Sequence, residues 1–287
     1  MAYSENADVI IIEANYDRTS SYGKGSNKAP KAIKKIFDNQ IEIYERITGL
    51  NPAEDLRIEF QDLGDLNRLS PEKMVSKIKK VFKNLYKKNK FIITLGGEHS
   101  ITNGPLEAIS ELSKSSDITV VQIDAHFDLR PDDSDYSPRP WGKYAHSAVM
   151  RRAFESGFKI IPIGVRTYHG KLELEFAKNN NIKFFEWGKD GDPRIKNIIK
   201  AIPTKNVYLT IDVDGFDPSV MPSTGTPVPD GIQWRYGMNL LKEIFNSKNV
   251  IAADIAEVIP ERSTTYNAAQ LLYYLIALKQ KDILAKK

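Results

Sequence analysis

Short apolar runs alternate along this chain with longer segments in which apolar positions recur at helical spacing. The runs fall at 8–14, 57–62, 91–95, 118–124, 158–165, 182–187, 206–212 and 249–255, and several are near-continuous in Val, Ile and Phe. Runs of that kind predict strands buried on both faces, as in a parallel sheet. Pro162 weakens the fifth, because proline cannot donate to a β-ladder. The helical spacing predicts helices near 29–48, 71–89, 104–115, 147–156, 171–180, 193–201, 235–247 and 264–280. Ser70 followed by Pro71 reads as an N-cap with proline at the first helical position. Strand and helix alternate throughout, which predicts an α/β class with a mostly parallel sheet. Eight such units fit an open doubly wound sheet or a closed barrel, and periodicity alone does not choose between them.

Two long irregular stretches interrupt the pattern, 129–145 and 215–234, both rich in Pro, Gly, Asp and Ser. Each begins where a predicted strand ends. Long loops in a compact domain are usually functional, and ligands of parallel sheets bind at the carboxyl ends of strands. These loops therefore mark the expected rim of a site.

Composition narrows the chemistry. The 287 residues contain no cysteine, so disulfides, thiolate nucleophiles and cysteine metal sites are excluded. No window approaches 18 uninterrupted apolar residues, so no membrane span is expected. Met1 to Asn6 lack a basic region followed by an apolar run, so no secretory signal is expected and the cytosol is the expected location. The net charge of +4 comes with lysines spread over predicted helices, for example Lys77, Lys80, Lys83, Lys87 and Lys88 interleaved with Ile78, Val81, Phe82 and Leu85. That is a solvated amphipathic face, and with no binding motif beside it no nucleic-acid partner is expected.

The chain has four histidines, and three of them, His99, His126 and His146, sit just beyond predicted strands or at the end of the first long loop. His99 lies in Gly96-Gly97-Glu98-His99-Ser100, and His126 in Asp124-Ala125-His126-Phe127-Asp128. On an extended backbone, residues i and i+2 share a side, so Asp124 and His126 can converge on one ion. Asp212 and Asp214 form a second such pair at the end of an apolar strand, where a turn-forming role explains them poorly. It explains Asp128 and Asp217 better. Four carboxylates (Asp124, Asp128, Asp212 and Asp214) and two imidazoles (His99 and His126) exceed what one tetrahedral zinc needs. Two divalent ions bridged by shared carboxylates use them all, and oxygen-rich ligation with some nitrogen favours Mn²⁺. Two ions ~3.5–4 Å apart can acidify a bridging water to a hydroxide nucleophile, so the pattern points to metal-assisted hydrolysis.

Four segments, 96–100, 124–128, 212–218 and 254–260, resemble in order and spacing the signatures of the ureohydrolase family, which includes arginase, agmatinase, guanidinobutyrase and formimidoylglutamase. The resemblance spans almost the whole chain. It implies a single domain over 1–287, an open three-layer α/β/α sandwich with an eight-stranded, mostly parallel sheet. It also implies two Mn²⁺ per chain: His99, Asp124, Asp128 and Asp212 on the first, Asp124, His126, Asp212 and Asp214 on the second. His146 matches the proton-shuttle histidine, and Glu257 the carboxylate that pairs with a guanidinium. His169 matches nothing and is expected to be inert. The implied ligand is a small guanidine compound, and the implied assembly a homotrimer or homohexamer. A deacetylase, which keeps one zinc on a related fold, is disfavoured by the full ligand set, and so is a non-catalytic relative. Leu129-Arg130-Pro131-Asp132-Asp133 lacks the Asn-x-Ser arrangement with which arginases hold an amino acid, while 16–23, 29–33, 42–44 and 62–65 look agmatinase-like. Agmatine is therefore the leading substrate, with guanidinobutyrate, formimidoylglutamate and arginine as alternatives.

Overall fold

The computed structural model describes residues 6–86, 90–138 and 140–286. The end of the predicted helix 71–89, with Lys87 and Lys88, and Arg139 in the first long loop lie outside the described residues. All eight predicted strands form: β1 (Val9–Asn15), β2 (Ile58–Asp65), β3 (Phe91–Gly96), β4 (Ile118–Ile123), β5 (Lys159–Val165), β6 (Phe185–Glu186), β7 (Asn206–Asp212) and β8 (Asn249–Ala256). They join one sheet in the order β2-β1-β3-β8-β7-β4-β5-β6, with every pairing parallel. The sheet is open, which resolves the barrel alternative.

The helices are α1 (Ala29–Asn39), α2 (Pro52–Asp55), α3 (Pro71–Tyr86), α4 (Asn103–Ser110), α5 (Val149–Glu155), α6 (Leu172–Asn179), α7 (Ile195–Ala201), α8 (Trp234–Ser247) and α9 (Arg262–Leu284). Strand alternation splits the core in two. Val9 and Ile11 face the cluster built with α1, α7, α8 and α9, while Ile10 and Ile12 face the one built with α3, α4, α5 and α6. The result is three layers. No helix among the described residues is long and apolar enough to cross a membrane.

Three local expectations need correction. The helix over 29–48 stops at Asn39, because Glu45 folds 45–50 into a turn: its carboxylate accepts the Ile47 and Thr48 N–H groups, its own N–H reaches the Leu50 carbonyl, and Gly49 takes φ 71°. The strand over 182–187 shrinks to Phe185–Glu186 at the sheet edge. Pro162 does no harm within β5. Ile163 turns its carbonyl toward β4, so Pro162 points its donor-less nitrogen to the other side, where β6 pairs only from Ile163 onward.

Candidate metal centre and cavity

The four central strands β3, β8, β7 and β4 bring their carboxyl ends together, and each carries one of the sequence motifs. After β3 the chain turns at Gly97, where a Cβ would stand 1.7 Å from the Tyr16 carbonyl oxygen, so only glycine fits. Glu98 then caps the next turn by accepting the Ser100 N–H at 2.6 Å, which presents His99. After β7, Asp212 accepts the Asp214 N–H at 2.9 Å and closes a 3₁₀ turn. Asp212 and Asp214 are thus not the extended pair expected from spacing, yet the turn sends both to the same place. Two of the four described non-glycine residues with positive φ, Asp128 at 51° and Glu257 at 65°, lie in this region. Backbone held in that conformation is costly and tends to mark functional positions.

All six predicted ligands converge. His99 Nδ1 lies 3.1 Å from Asp124 Oδ2, 2.9 Å from Asp128 Oδ2 and 3.6 Å from Asp212 Oδ2. His126 Nδ1 lies 3.4 Å from Asp124 Oδ1 and 3.1 Å from Asp214 Oδ2. Two donor groups emerge, His99 with Asp124 and Asp212, and Asp124 with His126 and Asp214, each within 4.8 Å, and Asp124 belongs to both.

Behind this set lies a relay with no role in the sequence reading. His99 Nε2 meets the Thr210 hydroxyl at 2.8 Å; Thr210 donates to Asp254 Oδ1 at 2.7 Å, and Tyr208 donates to Asp254 Oδ2 at 2.7 Å. Since the single Thr210 proton goes to Asp254, the hydroxyl can only accept from His99, which places a proton on Nε2. The buried Nδ1 then turns a lone pair toward three carboxylates and has no hydrogen-bond partner. That arrangement demands a positive charge between them. Without a metal the charge is a proton: burial opposes it, but Asp124 and Asp128 outweigh burial and raise His99 well above its ordinary range. Burial, with repulsion from Asp214 and Asp124, pushes Asp212 well above the carboxylate range. Burial, with repulsion from Asp124, raises Asp128 to about 7. The donor set fits hard or borderline divalent cations.

A cavity of about 360 Å³ opens onto this cluster, with His126, Asp128, Asp212, Asp214 and Glu257 among its lining. Glu257 is buried; its Oε1 accepts the His99 N–H at 2.9 Å. His146 lines the same cavity, with its N–H bound to the Thr19 hydroxyl at 3.0 Å and its Nδ1 buried and unpartnered. Burial, then the nearby His126, holds its imidazole down to about 4, so it is neutral at pH 7. Glu98 is buried and accepts from Thr19, which ties the His146 and His99 segments together.

The first long loop supplies Arg130 and Tyr136 to the wall. Asp133, 1% exposed, pins that loop by accepting the Trp141 and Gly142 N–H groups, both at 2.9 Å. Arg130 stacks on Tyr136 and pairs with Asp135 at 2.8 Å. Tyr22, 83% exposed, Tyr168, 37% exposed, and the buried Glu173 also line the cavity. His169, expected to be inert, lines the cavity too. Asp217 keeps to its turn role, accepting from Ser219 and Gly231 and staying outside both donor groups.

Comparison with known proteins adds three findings. A model of the family described as "Arginase family" matches residues 7–278. The N(1)-aminopropylagmatine ureohydrolase of Synechocystis sp. is 36% identical over 281 residues, covering 94% of this chain and 89% of that protein, and the agmatinase of Pyrococcus horikoshii is 31% identical over 283 residues, covering 96% and 94%. The crystal structure of the agmatine ureohydrolase of Thermoplasma volcanium superposes with a TM-score of 0.80 at 28% identity, covering 98% of this chain and 92% of that one.

Proposed function

The chain belongs to the arginase family and is a ureohydrolase, and from that premise we propose that it is a binuclear manganese enzyme that releases urea from agmatine and leaves putrescine. The observation that carries this reading is the pair of donor groups sharing Asp124 at a cavity floor, with the orphaned Nδ1 of His99 turned into them. His99, Asp124, Asp128 and Asp212 would hold one ion, and Asp124, His126, Asp212 and Asp214 the other. When bound, the ion pair acidifies water enough to make it a nucleophile at neutral pH.

The protein's own groups do the rest. Glu257, turned into the cavity by its left-handed backbone, holds the planar guanidinium through two parallel charge-assisted hydrogen bonds. This fixes the central carbon of the substrate for attack. His146 is neutral at rest, accepts a proton as attack proceeds and passes it to the leaving amine.

Substrate choice falls to the far end of the cavity. Among its described lining residues, Arg130 is the sole lysine or arginine, and its charge is met by Asp135. Glu173 is engaged as well, by the Leu129 and His169 N–H groups and by Arg130 at 4.0 Å, so a substrate carboxylate finds no free cation there, which disfavours arginine, guanidinobutyrate and formimidoylglutamate. The exposed Tyr22 and Tyr168 side chains that line the cavity offer an ammonium aromatic surface. The same acidic, aromatic mouth favours a second reading, N(1)-aminopropylagmatine, which carries one more ammonium and is the substrate named for the Synechocystis relative. Family membership also leads us to place the protein in the cytosol as a trimer or hexamer, which fractionation and light scattering test. Urea release in Mn²⁺ from agmatine, N(1)-aminopropylagmatine, arginine and guanidinobutyrate, with formamide release from formimidoylglutamate, tests the reading. One of the two agmatine-type compounds should lead, and the larger kcat/KM decides between them. No urea from any of the four guanidines would refute the function.

A further inference from the structure

Arg166, just beyond β5, has no place in the chemistry above, yet its contacts converge on the ion cluster. Its Nε donates to the Pro229 carbonyl at 3.0 Å, and its Nη1 to the carbonyls of Gly164 at 3.1 Å and Gly215 at 3.2 Å. Its Nη2 donates to Asp214 at 2.6 Å, Val228 at 2.7 Å and Phe216 at 3.3 Å, again at carbonyls. All these acceptors are main chain, and five of the six belong to the turn carrying Asp214 or to the returning arm of the 215–234 loop. The backbone adds a second grip: the Arg166 N–H donates to the Ala125 carbonyl at 3.0 Å, between Asp124 and His126. Ala125 in turn donates its N–H to Asp214 Oδ1 at 3.0 Å. The loop arm is also joined to the cluster directly, because the Thr226 hydroxyl reaches Asp214 Oδ2 at 3.3 Å, and Gly225 and Thr226 line the cavity. The fit around the guanidinium is close, since a Cβ on Gly231 would stand 2.7 Å from Nη2.

We propose that Arg166 is a positioning residue: its guanidinium clasps the turn that carries Asp214 and fastens Val228 and Pro229 of the rim to it, beside the Asp124/His126 turn that its main-chain N–H holds, so that the second ion site and the substrate wall share one rigid frame. The role needs arginine. Five N–H donors in a planar fork can serve three chain segments at once, whereas the three donors of a lysine radiate from one point. The proposal rests on the reading of Asp214 as a ligand.

The test is Mn²⁺ titration of the metal-free full chain, resolved into two binding steps and run on wild type, Arg166→Met and Arg166→Lys with melting temperatures alongside. Outer partners of metal ligands typically change affinity by about 10–100-fold. A loss of that size is expected in one step for both variants, with the other step within about 3-fold of wild type, and kcat/KM for agmatine should fall with the weakened step. Should Arg166→Met not fold, Arg166→Lys, which keeps charge and stem, decides. Wild-type binding in both steps overturns the proposal, and so does an equal weakening of both that tracks the melting temperature. A wild type that binds two ions and releases urea while Arg166→Lys behaves identically sinks this proposal alone. A wild type that does neither sinks the functional reading beneath it.

Discussion

Thr210→Val isolates the relay behind His99 at nearly constant volume. His99, Thr210 and Asp254 are all fully buried, so no water replaces what is lost. The substitution removes the 2.8 Å contact to His99 Nε2 and the 2.7 Å bond to Asp254 Oδ1, while Asp254 keeps Tyr208. Each unpaired buried partner costs about 1–3 kcal/mol, so with two partners affected folding stability should drop by about 2–6 kcal/mol. The larger effect falls on the metal. With no acceptor at Nε2, the ring is free to carry its proton on Nδ1, the nitrogen that faces Asp124, Asp128 and Asp212. Mn²⁺ affinity should fall by about 10–100-fold, the usual scale for such partners. Thr210→Ser keeps the hydroxyl and should bind within a few-fold of wild type. Calorimetric Mn²⁺ titration of the three proteins provides the readout. Wild-type affinity in the valine variant, or equal loss in the serine variant, would refute the assigned tautomer.

Three further outcomes are expected. His146→Ala should lower kcat by about 10²-fold or more at unchanged manganese content, and metal analysis showing a lost ion would put His146 among the ligands instead. The Asp217 carboxylate is raised by burial but lowered more by the Ser219 hydroxyl and the Ser219 and Gly231 N–H groups, to about 2. Its ordinary unfolded value is about 3.9, so its stabilisation is present above about pH 4 and lost as pH falls toward 2. Asp217→Asn should therefore destabilise the protein at pH 7 and flatten the acid limb of its stability profile, and an unchanged profile by circular dichroism would show the staple to be idle. Finally, kcat/KM for agmatine should exceed that for arginine by at least ~100-fold, about 2.7 kcal/mol of transition-state discrimination, and comparable turnover of the two would show that the cavity mouth does not select against a carboxylate.

The sheet was legible because strands such as Val207–Asp212 are apolar runs that break into carboxylates only where they reach the site. Motif order then located all six convergent donors, since each motif follows a strand and adjacent strand ends must meet. What stayed hidden depends on tertiary contact. Thr210 and Asp254 were visible as polar residues in buried strands, a signal that some partner exists, but their link to His99 joins β7, β8 and the turn after β3. Arg166 drew no reading from the sequence, because its acceptors are carbonyls, which carry no residue identity. Spacing gave no sign that the loop after β5 brings Thr167, Tyr168 and His169 to the cavity wall. Residues 40–48 read as helix from spacing alone, whereas the Glu45 side chain claims the local N–H groups.

The central claim is that two ions shared through Asp124 are what make this chain a ureohydrolase. Stepwise titration of the metal-free protein with Mn²⁺, with urea release from agmatine read at each addition, tests it most directly. The account predicts that activity stays low through the first equivalent, rises with the second and levels off at two ions per chain. Full activity at one ion per chain, or no urea at two, would contradict it.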